Sequence, residues 1–171
     1  MTLPQTFAEN KKDINGVVET PKGTSAKYNF DEESGMFKLK KILPEGIVFP
    51  LHFGFIPHTK AEDGDPVDVL IFMDEASWPG CIIECKLLGV IEAEQTENGR
   101  TVRNDRMIAA AIASHRYKET KSIFALDSYL IDEIVNFLVS YNRLEKKIFE
   151  VIGRQGPHTA INLVRKQMLR G

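Results

Sequence analysis

Through the first two-thirds of this 171-residue chain, apolar and polar residues alternate in short runs with the period of a strand. Gly16-Val17-Val18-Glu19-Thr20 predicts one strand, closed by the turn residues Pro21-Lys22-Gly23-Thr24. Ala26-Lys27-Tyr28-Asn29-Phe30 predicts a second, with Lys27 and Asn29 on one face and Tyr28 and Phe30 on the other. Asp31 to Gly35 predicts the turn that pairs it with a third strand, Met36 to Leu43, ended by Pro44-Glu45-Gly46. Phe49 to Pro57 is dense in aromatics and breakers and predicts a buried irregular loop or short strand. Val67 to Met73 reads as a strong strand. Cys81 to Glu92 predicts a long one, bulged near Leu87-Leu88-Gly89, and Asn98-Gly99 predicts a hairpin turn into Thr101 to Ala111.

The period then changes. Leu126, Leu130, Ile131, Ile134, Val135, Leu138 and Tyr141 recur at helical spacing, with Asp127 or Ser128 placed to cap the helix. Pro157 predicts the first turn of a second helix, whose apolar positions are Ala160, Ile161, Val164 and Met168. Strands first and helices last predict one β-rich α+β domain over residues 1–171. The simplest such plan is a closed or nearly closed barrel with helices packed outside.

Composition narrows the function more than the fold. Hydrophobic residues make up 43% and charged residues 27%, ordinary for a globular protein. A formal net charge of −2 argues against a general nucleic-acid binder, which is normally basic. No stretch approaches the ~18 apolar residues of a membrane span. Met1 to Asn10 lacks the apolar run of a signal peptide. Cys81 and Cys85 lie about 13 Å apart along an extended strand, beyond disulfide reach, and read as thiols of a reducing cytoplasm. His52, His58, His115 and His158 show no metal-ligand spacing.

The candidate chemistry lies in Asp63-Gly64-Asp65-Pro66-Val67-Asp68, where three carboxylates run into an apolar strand. Fully extended, Asp63 and Asp68 would be about 16 Å apart, too far to share one ion. Gly64 and Pro66 are turn residues that can fold the loop back, so that the carboxylates converge. Such a cluster needs a proton or cation between its members, and hard oxygen ligands suit Mg²⁺ or Mn²⁺. A solvated acidic turn is the competing reading. An EF-hand is a poor fit, because the sixth position from Asp63 is Asp68 rather than Gly, the twelfth is Asp74 rather than Glu, and the flank is β-like.

Glu19, Lys27-Tyr28, Phe49-Pro50, Gly54-Phe55-Ile56, the acidic loop and Tyr141 stand in an order and spacing that resemble the family I soluble inorganic pyrophosphatases. The resemblance covers about residues 16 to 150. It implies a five-stranded OB-like closed barrel with flanking C-terminal helices, acting in the cytoplasm as a homo-oligomer, a hexamer or trimer. It implies Mg²⁺-dependent hydrolysis of pyrophosphate to two phosphates, with Mn²⁺ as a possible substitute and with no nucleic-acid or membrane partner. By the same resemblance Asp63, Asp65, Asp68 and Glu19 are metal-site residues, and Asp68 bridges two ions. Asp65 is also the implied general base, and Lys27, Lys41, Arg106 and Tyr141 are implied phosphate ligands.

Several positions depart from the family pattern. Asn29 stands where a Glu is usual, Lys41 for an Arg, Phe53 for a Tyr, Arg106 for a Lys and Asn142 for a Lys. Gln95 and Asn104 align with two metal-binding Asp residues. An amide still offers a carbonyl oxygen but lacks the negative charge, which puts the usual metal complement in question. Glu62, Glu94, Glu97 and Asp105 lie nearby as candidate compensation. A related phosphohydrolase with another substrate and a phosphate-binding homologue without turnover are the alternatives.

Overall fold

The computed structural model describes residues 2–169. Five strands pair in a closed ring: β1 (Ile14–Thr20) beside β4 (His52–Ile56), then β5 (Val67–Phe72), β8 (Arg106–Ala111) and β6 (Ile82–Glu97), which returns to β1. All these pairings are antiparallel except β5 with β8. The ring is the barrel expected from the resemblance. β2 (Ala26–Asp31) and β3 (Met36–Ile42) form a separate hairpin. β7 (Arg100–Arg103) continues from β6 through the Asn98-Gly99 turn.

β5 reads as a continuous apolar run because both of its faces are buried. Val69 and Ile71 join a cluster with Ala160 and Val164 of helix α2 (Pro157–Gln167). Leu70 and Phe72 join the cluster that takes in Ile131, Ile134 and Leu138 of helix α1 (Ser128–Leu144). Asp127 caps α1, its carboxylate accepting from the Tyr129 amide at 2.9 Å. Neither helix is long and apolar enough to cross a membrane.

Of the two readings for Phe49 to Pro57, the structure takes the short strand, β4, which lies close against β1: a Cβ on Gly54 would lie 2.0 Å from the Val17 carbonyl oxygen. Two sequence expectations change. The predicted Thr101 to Ala111 strand is broken at Asn104-Asp105 into β7 and β8. A ninth strand, β9 (Ile148–Gln155), lies between the two helices and pairs with β6, so the helices do not simply follow the strands. Its alternation is weak, since Phe149 is its one buried residue.

Two irregularities aim side chains at one end of the ring. Between Val18 and Thr20 the β1–β4 register slips by one, leaving Glu19 without an opposite residue. Between Lys27 and Tyr28 the β2–β3 register slips in the same way and leaves Lys40 unopposed. A bulge of this kind redirects the extra side chain out of the ladder. Thr20 ties the hairpin to β1, accepting from the Tyr28 amide at 3.1 Å and donating to the Tyr28 carbonyl at 3.2 Å.

Candidate active site

The acidic loop folds back as Gly64 and Pro66 require. Gly64 has φ +94°, the Ala61 amide donates to the Asp65 carbonyl at 2.8 Å, and the Asp65 amide donates to Asp63 Oδ1 at 3.1 Å. Thr59 closes the base of the loop, accepting from the Val67 amide at 2.9 Å and donating to the Ile56 carbonyl at 2.6 Å. Asp63, Asp65 and Asp68 thereby line one cavity of about 260 Å³, with Glu19, Lys27, Arg106 and Tyr141 on its other walls.

β5 and β8 run parallel with Val69 opposite Met107, so Asp68 and Arg106 enter the site side by side. Arg106 Nη1 lies 2.8 Å from Asp68 Oδ2. The same guanidinium donates to the side-chain oxygen of Asn104 and, at 3.2 Å, to the Asn104 carbonyl. Asn104 Nδ2 donates in turn to Gln95 Oε1 at 3.0 Å. Phe149 of β9 packs under the guanidinium at 5.1 Å. Gln95, Asn104 and Arg106 are 7%, 4% and 5% exposed.

Across the cavity Lys27 is 4% exposed, and its ammonium lies 3.5 Å from Glu19 Oε2 and 4.1 Å from the centre of the Phe53 ring. Phe53 cannot offer a hydroxyl, but its π face holds a cation. Glu19 Oε1 accepts from the Phe30 amide at 2.7 Å. Burial pushes the Glu19 carboxyl up and the Lys27 ammonium down, and each charge partly offsets the other's shift. Burial also raises Asp68 against the opposing pull of Arg106 and Lys27. Asp63, whose residue surface is open to solvent, has its carboxyl raised by desolvation among the surrounding protein atoms and further by the charges of Asp68 and Asp65. That mutual repulsion is the expected signature of carboxylates gathered around a place for a cation.

Tyr141 stacks with Phe137 at 5.8 Å and meets Phe49 at 5.4 Å, so it is core residue and cavity wall at once. Burial, then the charges of Glu145 and Asp68, raise its hydroxyl, which keeps it a neutral donor at pH 7. Lys41 stands behind the cavity wall, in contact with Glu145 and 4.9 Å over the Tyr141 ring, while Lys40 lines the cavity itself. Asn29 and Asn142 reach the wall as well. Asn142 donates to the Leu138 carbonyl at 2.8 Å and so turns its amide into its own helix.

The family model for inorganic pyrophosphatase matches residues 16–170. The chain belongs to that family. It is 35% identical over 153 residues to an inorganic pyrophosphatase of Synechocystis, covering 90% of this chain and 88% of that one. Against an inorganic pyrophosphatase of Halalkalibacterium halodurans the figures are 34%, 92% and 94%. The fold superposes on the Thermus thermophilus inorganic pyrophosphatase with a TM-score of 0.87 at 28% identity, over 97% of this chain and 94% of that one.

Within this inorganic pyrophosphatase fold, the two candidate sources of metal ligands behave differently. The loop carboxylates fit a hard divalent cation: they are oxygen donors, they face one cavity, and the Asp65 carboxylate makes no hydrogen bond among the described residues. Among the described residues, no three His, Cys, Asp or Glu side chains stand together as a finished metal cage. The amide pair fits less well, because neither side chain carries charge and the oxygens of Gln95 and Asn104 each already accept from a protein donor. Asp105 does not compensate; its carboxylate accepts from the Ala93 amide at 3.0 Å and from Arg103 at 2.6 Å, on the other side of the chain.

Sequence reasoning missed Glu145 and Lys147, which also line the cavity. Glu145 lies four residues after Tyr141, one turn on along the same helix face, and that spacing is a usable signal. Lys147 comes from the turn after α1 and left no comparable trace.

Proposed function

We propose that this chain hydrolyses inorganic pyrophosphate to two phosphates with a divalent metal ion, Mg²⁺ or Mn²⁺, at the cavity between the acidic loop and Lys27. The observation that carries this reading is the convergence of Asp63, Asp65 and Asp68 on a cavity whose opposite wall holds Lys27 and Tyr141, in a chain of the inorganic pyrophosphatase family. Asp63, Asp65 and Asp68 would hold the ion, with Glu19 close by. When bound, it neutralises phosphoryl oxygens and makes water a better acid.

The protein's own groups supply the rest. Lys27, fixed between Glu19 and Phe53, presents a positive charge to a phosphate oxygen. Tyr141 donates a hydrogen bond to phosphate and stays protonated while doing so. Asp65 takes a proton from the attacking water. The water oxygen bonds to one phosphorus as that phosphorus loses its bond to the bridging oxygen, which leaves with the second phosphate.

The test is phosphate release from pyrophosphate by the pure protein with Mg²⁺ or Mn²⁺, beside an Asp65→Asn control. We expect the variant to be slower by roughly 10²–10⁴-fold, the usual contribution of a positioned general base. Release no faster than the control would sink the proposal.

A further inference from the structure

We propose that Arg106 is the resident cation of this site: its guanidinium takes the place of a divalent ion beside Asp68, and the Gln95–Asn104 amide pair holds it there. This inference rests on the pyrophosphatase reading and concerns the number of ions the site takes. A buried guanidinium is costly unless it is paired and its donors are satisfied. Here the pairing is met by one nitrogen, Nη1, which meets Asp68 Oδ2 at 2.8 Å, the Asn104 carbonyl at 3.2 Å and the Asn104 side-chain oxygen, while the buried Nε has no protein partner among the described residues. Asn104 is oriented by its own donation to Gln95 Oε1 at 3.0 Å. The relay therefore runs from Asp68 through one cation into two neutral amides, and Asp68 is the one carboxylate in it.

The charge balance points the same way. Glu19, Glu32, Asp63, Asp65, Asp68 and Glu145 line the cavity against Lys27, Lys40, Arg106 and Lys147, and pyrophosphate adds further negative charge. Acids at 95 and 104 would deepen that excess and call for another ion. Amides remove the demand, and each of their side-chain oxygens already accepts from a protein N–H group. A divalent ion drawn to this side of Asp68 would meet a fixed positive charge hydrogen-bonded to the same carboxylate. Guanidinium suits the post because Nη1 serves several oxygens at once while Phe149 backs the planar face.

The test counts Mn²⁺ bound per chain, from the loss of the free-ion paramagnetic resonance signal, with the non-hydrolysable analogue methylenediphosphonate present. Arg106→Gln should bind one more Mn²⁺ per chain than wild type, and Arg106→Lys, which keeps the charge, should bind the wild-type number. Should Arg106→Gln fail to fold, as judged by circular dichroism, Arg106→Met, which fills similar space without charge, decides in its place, again with one additional ion expected. A folded Arg106→Gln with the wild-type count, or with fewer ions, overturns the inference while leaving pyrophosphate hydrolysis by wild type untouched. A wild type that binds no Mn²⁺ overturns the metal-dependent reading and this inference together.

Discussion

The two walls that meet at Asp68 solve the problem of buried charge in opposite ways. On the loop side, Asp63 and Asp65 are exposed, and their carboxylates have one backbone hydrogen bond between them. On the strand side, Gln95, Asn104 and Arg106 are buried and bonded to one another and to Asp68. The loop wall keeps its charge open to something from outside. The strand wall has turned most of its polar groups on one another, and in doing so gives up ligands. Chemistry is therefore expected to depend on the first wall and stability on the second.

The largest effect that separates them is Asp68→Ala. It strands the Arg106 guanidinium in a buried setting, and breaking such a pair costs about 3–5 kcal/mol. Urea unfolding reads this directly. Asp65→Asn, by contrast, should abolish most activity while leaving the urea midpoint where it is, because its carboxylate supports nothing else in the fold. If Asp68→Ala were no less stable than Asp65→Asn, the two walls would not differ as described.

That contrast also marks what was legible in the chain. Asp63, Asp65 and Asp68 could be read because they are contiguous and two turn residues sit among them. Glu19 and Lys27 were placed by the family resemblance, although the register slips that aim Glu19 and leave Lys40 unopposed come from strand pairing. The amide relay was not legible. Gln95 and Asn104 announce lost charge, but only the pairing of β6 with β7 and the break that follows β7 shows that the two amides meet. β9 was missed because its one buried residue gives little alternation, and the Asn104-Asp105 break was missed because both flanks read as strand.

A smaller effect tests the strand wall from inside. Asn104→Ala leaves Gln95 Oε1 without its donor and Arg106 without one acceptor. An unsatisfied buried group costs about 1–3 kcal/mol, so a loss of that order should appear in urea unfolding. Asn104→Asp keeps the acceptor for Arg106 and should recover part of the loss. Equal stability of Asn104→Ala and wild type would mean that the relay holds nothing in place.

The smallest effect is a pH dependence from a polar group that is likewise closed on protein partners. His52 begins β4 next to Phe53 and is fully buried. Its Nδ1 accepts from the Lys22 amide at 3.1 Å, so the proton sits on Nε2, which faces the Glu75 carbonyl at 3.0 Å. A second proton would have to go on Nδ1, against a donor. Burial accordingly lowers the His52 pKa from its ordinary 6.5. Because the folded pKa lies below the unfolded one, the unfolded chain binds the proton first. The contribution is fully present above pH 6.5 and is lost as pH falls from there through the folded pKa. Glu19, Asp63 and Asp68, whose folded pKa values are raised, act in the opposite sense. A comparison of wild type with His52→Gln cancels them. Urea midpoints measured from pH 7.5 down to pH 5.5 should fall more steeply for wild type than for the variant. Parallel slopes would show that His52 takes up its proton as easily in the fold as outside it.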